Sequence, residues 1–184
     1  RQVSIVDRER DKSIFVTSSD TADGNTGPGK VFIYKRGSDG TYTLDTTLNA
    51  VQGGTRNFGH SLDINDAGTR LVISEPEISW DNGAGRIYVY DRASTSVPWP
   101  STPTTTLNTS TDTGTHKGFG YDLALSGDGN TIGTSTYGGG DYNRAYIFEY
   151  SGSSWSETKT WGLSGSTFVG ASSDLSHDGT RFVV

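Results

Sequence analysis

Phe58-Gly59-His60-Ser61-Leu62-Asp63-Ile64, followed by Asp66-Ala67-Gly68-Thr69-Arg70-Leu71-Val72-Ile73 and, after a loop, by Gly85-Arg86-Ile87-Tyr88-Val89-Tyr90, is a unit that returns along the chain. Its second copy reads Phe119-Gly120-Tyr121-Asp122-Leu123-Ala124-Leu125, Gly127-Asp128-Gly129-Asn130-Thr131-Ile132 and Arg144-Ala145-Tyr146-Ile147-Phe148-Glu149-Tyr150. A third starts at Val169-Gly170 and runs through Leu175, Asp178-Gly179-Thr180-Arg181 and Phe182. Before the first, Ser13-Ile14-Phe15-Val16 and Gly29-Lys30-Val31-Phe32-Ile33-Tyr34 match the later parts of the same unit. The turn glycines Gly68, Gly129 and Gly179 lie 61 and 50 residues apart, and Asp11 holds the matching place 57 residues before Gly68. That period is too long for a leucine-rich or helix-pair repeat and fits a small sheet repeated radially.

Each unit divides into four short strands. Leu62 and Ile64, like Leu123 and Leu125, alternate with their neighbours as a half-buried strand does. A tight turn follows, where glycine supplies the positive φ of a short hairpin. Leu71-Val72-Ile73 is continuously apolar, the pattern of a strand covered on both faces. The third strand alternates aromatics: Phe32 and Tyr34, Tyr88 and Tyr90, Tyr146 and Phe148. A more polar fourth strand closes the unit over 42–48 and 154–161. No stretch carries a helical period, so the expected fold is all-β: a propeller-like array of four-stranded antiparallel blades, about three and a half of them. Blade 1 takes residues 1–50, blade 2 51–111, blade 3 112–164, and a partial blade 4 165–184. The repeated Phe-Gly is read as packing, with phenylalanine filling the space between sheets and glycine letting backbones approach.

Phe-Gly-x-Ser-Leu-x-Ile, Asp-Gly-Asn-Thr-Ile and Gly-Arg-Ile-Tyr-Val-Tyr, recurring in that order, resemble the FG-GAP repeat in its secreted and surface-protein variant, as does Tyr150-Ser151-Gly152-Ser153-Ser154-Trp155. The resemblance covers essentially the whole chain and rests on ordered recurrence. It implies a β-propeller of the integrin α-subunit type, each unit forming one blade, and an extracellular role in adhesion. It also implies calcium in Asp-x-Asp-x-Asp-Gly loops, and here the chain departs from the family. Asp63-Ile64-Asn65-Asp66-Ala67-Gly68 has the acids on another spacing, and the turns at Asp128 and Asp178 each keep a single aspartate. An Asp-Gly turn needs no metal, because aspartate caps its own backbone. The cluster of Asp20, Asp23 and Asn25 is the candidate calcium site, on oxygen ligands suited to a hard cation.

Composition narrows the function classes. The chain has no cysteine, which removes disulfides and thiolate metal sites and suits an extracellular protein. No apolar run approaches a membrane span. Net charge is −6 with scattered basic residues, and Asp7, Glu9 and Asp11 neutralise the run Arg8, Arg10, Lys12, so nucleic acid is not an expected partner. The absence of methionine, and the position of both ends within repeats, suggest a piece of a longer polypeptide. His60, His116 and His177 fall in different units at positions read as solvent-facing, none beside a nucleophile arrangement. Glu75 and Glu77 flank Pro76 in what reads as an acidic surface loop. No catalytic residues and no resident cofactor are therefore assigned.

Asn108-Thr109-Ser110 is the chain's sequon and lies beside the hydroxyl-rich run from Pro98 to Thr106, which resembles O-glycosylated loops. Asn108, Thr104, Thr105 and Thr106 are the candidate glycosylation sites. The leading functional expectation is an extracellular structural or adhesion module that acts by protein or surface contacts through loops 20–29, 75–85 and 135–143. Its partners would be other protein chains, and the apolar edge Phe182-Val183-Val184 is expected to be covered either by later blades of the same polypeptide or by a neighbouring copy in a fibre. The alternative is a propeller acting on or binding polysaccharide, with Trp80, Trp99, Trp155, Trp161 and Tyr137 stacking on sugar rings if they form a row.

Overall fold

The structure, a computed structural model, describes residues 3–6, 14–19, 28–52, 57–76, 85–109, 118–136, 143–162 and 170–184. These form four antiparallel sheets and, among the described residues, no helix. Blade 1 comprises β1 (Val3–Val6), β2 (Ile14–Ser19), β3 (Lys30–Arg36) and β4 (Tyr42–Asn49). Blade 2 holds β5 (Leu62–Ile64), β6 (Arg70–Glu75), β7 (Arg86–Asp91) and β8 (Thr105–Leu107). Blade 3 holds β9 (Asp122–Leu125), β10 (Thr131–Ser135), β11 (Arg144–Tyr150) and β12 (Trp155–Gly162). The partial blade 4 is the pair β13 (Asp174–Leu175) and β14 (Phe182–Val183). Strands pair in sequence order within each sheet, the meander expected of a propeller-like blade array.

The unit is reproduced in register. Leu71 faces Tyr90 and Ile73 faces Tyr88 across β6–β7, while Ile132 faces Phe148 and Thr134 faces Tyr146 across β10–β11. In blade 1 the corresponding pairs are Phe15 with Tyr34 and Thr17 with Phe32. The third-to-fourth strand ladder breaks at the same place twice, after Ile33 in blade 1 and after Ile147 in blade 3. A bulge there turns the polar outer strand away and adds local twist.

Because strand side chains alternate between faces, each central strand contributes to two different cores. Leu71, Ile73, Tyr88 and Tyr90 pack with Phe58 and Trp99 against Val31, Ile33 and Leu48 of blade 1. From the other face of the same strands, Val72, Ile87 and Val89 join Leu107 against Phe119, Leu123, Ile132, Tyr146 and Phe148 of blade 3. Phe58 and Phe119 are both fully buried, in like environments one blade apart. Phe119 meets Tyr146 edge-on at 5.3 Å between ring centroids. The packing reading of Phe-Gly therefore holds. A Cβ on Gly120 (φ +81) would press on Ser74 and on Arg86 and Ile87 of the preceding blade.

One boundary differs from the sequence reading. The hydroxyl run is not wholly loop, because Thr105 and Thr106 pair with Val89 and Tyr88 as the fourth strand of blade 2. Prolines punctuate only the approach to that strand, and Thr and Leu are good strand residues at a sheet edge.

Candidate functional site

The first strands of successive blades lie side by side, β1 by β5, β5 by β9 and β9 by β13, so the sheets converge along that edge. A first strand has one edge without a strand partner, and its N–H groups need acceptors. Side chains of the preceding blade supply some of them, and the residue's own neighbour others: Ile64 N–H donates to Asp63 Oδ1 (2.9 Å) and Leu123 N–H to Asp122 Oδ1 (3.0 Å). Leu125 N–H donates to Asp63 Oδ2 (2.8 Å), Leu123 N–H to Ser61 Oγ (3.3 Å), and Ser173 N–H to Asp122 Oδ2 (2.6 Å). Ser61 Oγ in turn donates to Asp122 Oδ1 (2.9 Å), so Asp122 joins blades 2, 3 and 4. Where blade 3 has Ala124 in place of Asp63, the next N–H, that of Leu175, turns instead to its neighbour Asp174 (2.8 Å).

The hairpin tips stack in the same order. Asp66 N–H donates to the Gly127 carbonyl (3.0 Å), and Gly127 N–H to the His177 carbonyl (2.8 Å). The His177 ring passes over Gly127 to reach the Asp66 carboxylate, so a side chain on residue 127 would collide with it. Blades 2 and 4 are thus tied across blade 3, and glycine at 127 is a requirement of that contact.

Within the tips, aspartate caps the turn. Asp128 accepts from Ser126 Oγ (2.6 Å) and the Asn130 N–H (2.9 Å), which hold its carboxyl below the usual range. Asp178 repeats the pattern with Ser176 Oγ (2.6 Å), Thr180 Oγ1 (2.8 Å) and the Thr180 N–H (3.1 Å), and its pKa falls to about 2. In blade 2 Asn65 does the same work, accepting from the Thr69 and Arg70 N–H groups at 2.8 Å each. These carboxylates accept hydrogen bonds from turn donors.

Further along the seam Arg70 bridges blades 2 and 3. Its Nε bonds Asp91 at 2.6 Å and Nη1 the Gly129 carbonyl at 2.8 Å, while the guanidinium lies 4.2 Å from the Tyr150 ring centroid and 5.2 Å from that of Trp155. Two positions correct the sequence reading. Glu75 is not a surface acid but is buried at the end of β6, 3.7 Å from Arg86 and 3.3 Å from the Tyr88 hydroxyl. Burial, then the Glu75 charge, pushes Tyr88 up to about 12. His60 is half-buried rather than solvent-facing, its ring 4.7 Å from that of Tyr121, the residue at its own position in the next blade.

Asp20, Asp23 and Asn25 lie outside the described residues, as do His116, Glu77, Trp80, Tyr137 and most of loops 20–29, 75–85 and 135–143. Asn108 is exposed just after β8, Thr104 and Thr106 are exposed, and Thr105 is half-buried. Trp99 is buried in the blade 1–2 core beneath Arg92 at 4.2 Å, and Trp155 packs on the blade 2–3 core. Trp161 stands exposed on β12, so these three do not form a row. Sequence reasoning missed the roles of Ser61, Asp63, Asp122 and Arg70; their signal was a polar residue recurring inside or beside an otherwise apolar strand.

No family model matches the chain, and no curated protein matches it. Among solved structures it is similar to Sqt1 from Chaetomium thermophilum, at 17% identity and a TM-score of 0.54 over 92% of this chain. The match spans 37% of the Sqt1 chain, and at that identity it speaks for the propeller-type fold alone. No helix among the described residues is long and apolar enough to cross a membrane.

Proposed function

We propose that the chain is an extracellular structural or adhesion module of FG-GAP-like repeats, without catalysis, acting by protein–protein or surface contacts within a larger assembly. One observation carries this reading: the polar side chains best suited to chemistry are engaged in holding blade to blade. Asp63, Asp122, Arg70, Asp66 and His177 each reach across a seam, and Asp128 and Asp178 cap turns. On a scaffold built this way recognition falls to loops and exposed faces. Asn108 stands where a glycan has room, which suits a secreted protein. The sugar-binding alternative draws less support, since Trp99 and Trp155 are committed between blades.

The test pairs location with activity. Fractionation of the source cells should place the protein outside or on the surface, with Asn108 carrying an N-glycan that Asn108→Gln removes. A hydrolase screen and glycan array should give no turnover and no sugar ligand. Recovery inside the cell overturns the extracellular reading; turnover of any substrate overturns the structural one.

A further inference from the structure

Two tryptophans hold matching places at successive interior seams. Trp99 lies in the core that contains Leu48, beneath Arg92, and is 5% exposed. Trp155 packs on the core that contains Leu107, beneath Arg70, yet it is only half-buried. Between β8 and the start of β12, beside Trp155, runs a groove of about 540 Å³, the size of a small-ligand cleft. Thr106, Ser153 and Ser154 bring hydroxyls to its lining, while Leu107, Phe148 and Trp155 bring apolar surface. The Trp155 indole N–H is buried and has no acceptor among the described residues, a costly state for a donor. Hydroxyls beside an aromatic ring suit a sugar, which carries both hydroxyls and apolar C–H faces.

Asn108 is itself part of this lining, and it is exposed. It is also the asparagine of the sequon Asn108-Thr109-Ser110. The equivalent residue one blade earlier is Asn49, since Leu48 pairs with Val31 as Leu107 pairs with Ile87. Asn49-Ala50-Val51 is not a sequon, and there Ala50 packs against the core in which Trp99 is buried. The attachment signal therefore stands at the seam whose tryptophan borders a groove, and at the lip of that groove.

We propose that the groove is the seat of this chain's own N-glycan: the first N-acetylglucosamine on Asn108 folds back along Trp155 and seals the seam between blades 2 and 3. This rests on the reading above that Asn108 is glycosylated, and adds what the glycan does. Attachment at the lip makes the association intramolecular, so contacts too weak to hold a free sugar suffice. The C–H face of the ring covers Leu107 and Trp155, and its oxygens offer acceptors to the indole N–H. The glycan then acts as a fourth-strand extension of blade 2, whose β8 has three residues where β4 and β12 have eight.

The test uses the 184-residue chain secreted from a glycosylating host, with intact mass reporting occupancy of Asn108 and an endoglycosidase trimming the glycan to its first sugar. By NMR the acetyl methyl of that sugar should be shifted upfield by the Trp155 ring and show cross-peaks to the indole protons. Amide exchange at Thr106 and Leu107 should be slower than in Asn108→Gln by about fivefold or more. The control moves the glycan one blade back: Val51→Thr in the Asn108→Gln background makes Asn49 a sequon, at a site where Val51 is 46% exposed and the fold tolerates the change. Its acetyl methyl should resonate where that of a free glycan does. A bare Asn108 overturns the glycosylation reading and this inference with it. An occupied Asn108 with no Trp155 contact overturns this inference alone, as does an equal shift from the glycan at Asn49. Binding of a free oligosaccharide in the groove of the glycosylated chain also overturns it, because the occupant would then be an external sugar.

Discussion

The seam between blades 2 and 3 and the seam between blades 3 and 4 are built from equivalent positions, yet among the described residues they are packed with different side chains. In the first, Val72, Ile87, Val89 and Leu107 meet Phe119, Tyr146 and Phe148, and all are buried. In the second, Gly133, Ala145, Ile147 and Trp161 stand at the equivalent places; among the described residues Ile147 packs with Leu175 and the half-buried Phe182, Gly133 lies against the Phe182 ring, and Trp161 is exposed. Side-chain volume is redistributed across this face. Glycine and alanine admit the Phe182 ring, and the bulk reappears at Trp161. A blade face is therefore a surface fitted to one particular neighbour, and the pieces are not interchangeable even though the backbone repeats.

The largest expected difference between the seams comes from truncating the phenylalanine in each. Phe119→Ala empties a fully buried site and should cost about 3–5 kcal/mol in urea denaturation, in line with large-to-small core changes. Phe182→Ala removes a half-buried ring from a two-stranded sheet and should cost on the order of 1 kcal/mol. Equal losses would break the comparison, because the ring at position 182 would then be as well packed as that at 119.

Restoring valine at position 133 sharpens it. Gly133→Val gives blade 3 the residue blade 2 has at Val72, but the new side chain meets the Phe182 ring. Overpacking of this kind costs about 1–3 kcal/mol. The damage should be local, with faster amide exchange at Leu175 and no change at Ile132. Unchanged exchange at Leu175 would mean the two blades do not touch there.

The smallest effect is at the tip of blade 4. Ser176 and Thr180 donors hold Asp178 at about 2 against an ordinary 3.8. A carboxylate whose pKa is lowered by folding contributes stability above its ordinary range and loses it as pH falls through the folded value. Carbon-detected NMR titration should therefore find the Asp178 midpoint well below that of an unstructured aspartate, and Ser176→Ala, which removes the largest cause, should raise it toward 3.8. A midpoint already at the ordinary value in the unaltered chain would contradict the capped turn.

Much of the blade was legible in the sequence because it is local. Period-two alternation in Leu62–Ile64, the turn glycines and the Tyr88/Tyr90 pattern each encode a strand or a hairpin without reference to the rest of the chain. The seams were less legible. Asp63 reads as a turn acid until its partner, the Leu125 N–H, is seen 62 residues away. Glu75 reads as surface because a charge beside proline normally is, and only the arrangement of Arg86 and Tyr88 explains its burial. β8 was hidden because its apolar content is a single buried leucine, Leu107, at the end of a hydroxyl run.

The first strand of blade 3 has its free edge satisfied by side chains of blade 2, and amide exchange at Leu125 tests this most directly. With Asp63 accepting its proton at 2.8 Å, Leu125 N–H should be protected as strongly as the ladder amide of Ile132. In Asp63→Ala that protection should fall by tenfold or more, while Leu123, which bonds Asp122 and Ser61 instead, keeps its own. A Leu125 amide that exchanges at the rate of an unprotected coil in both proteins would contradict the claim.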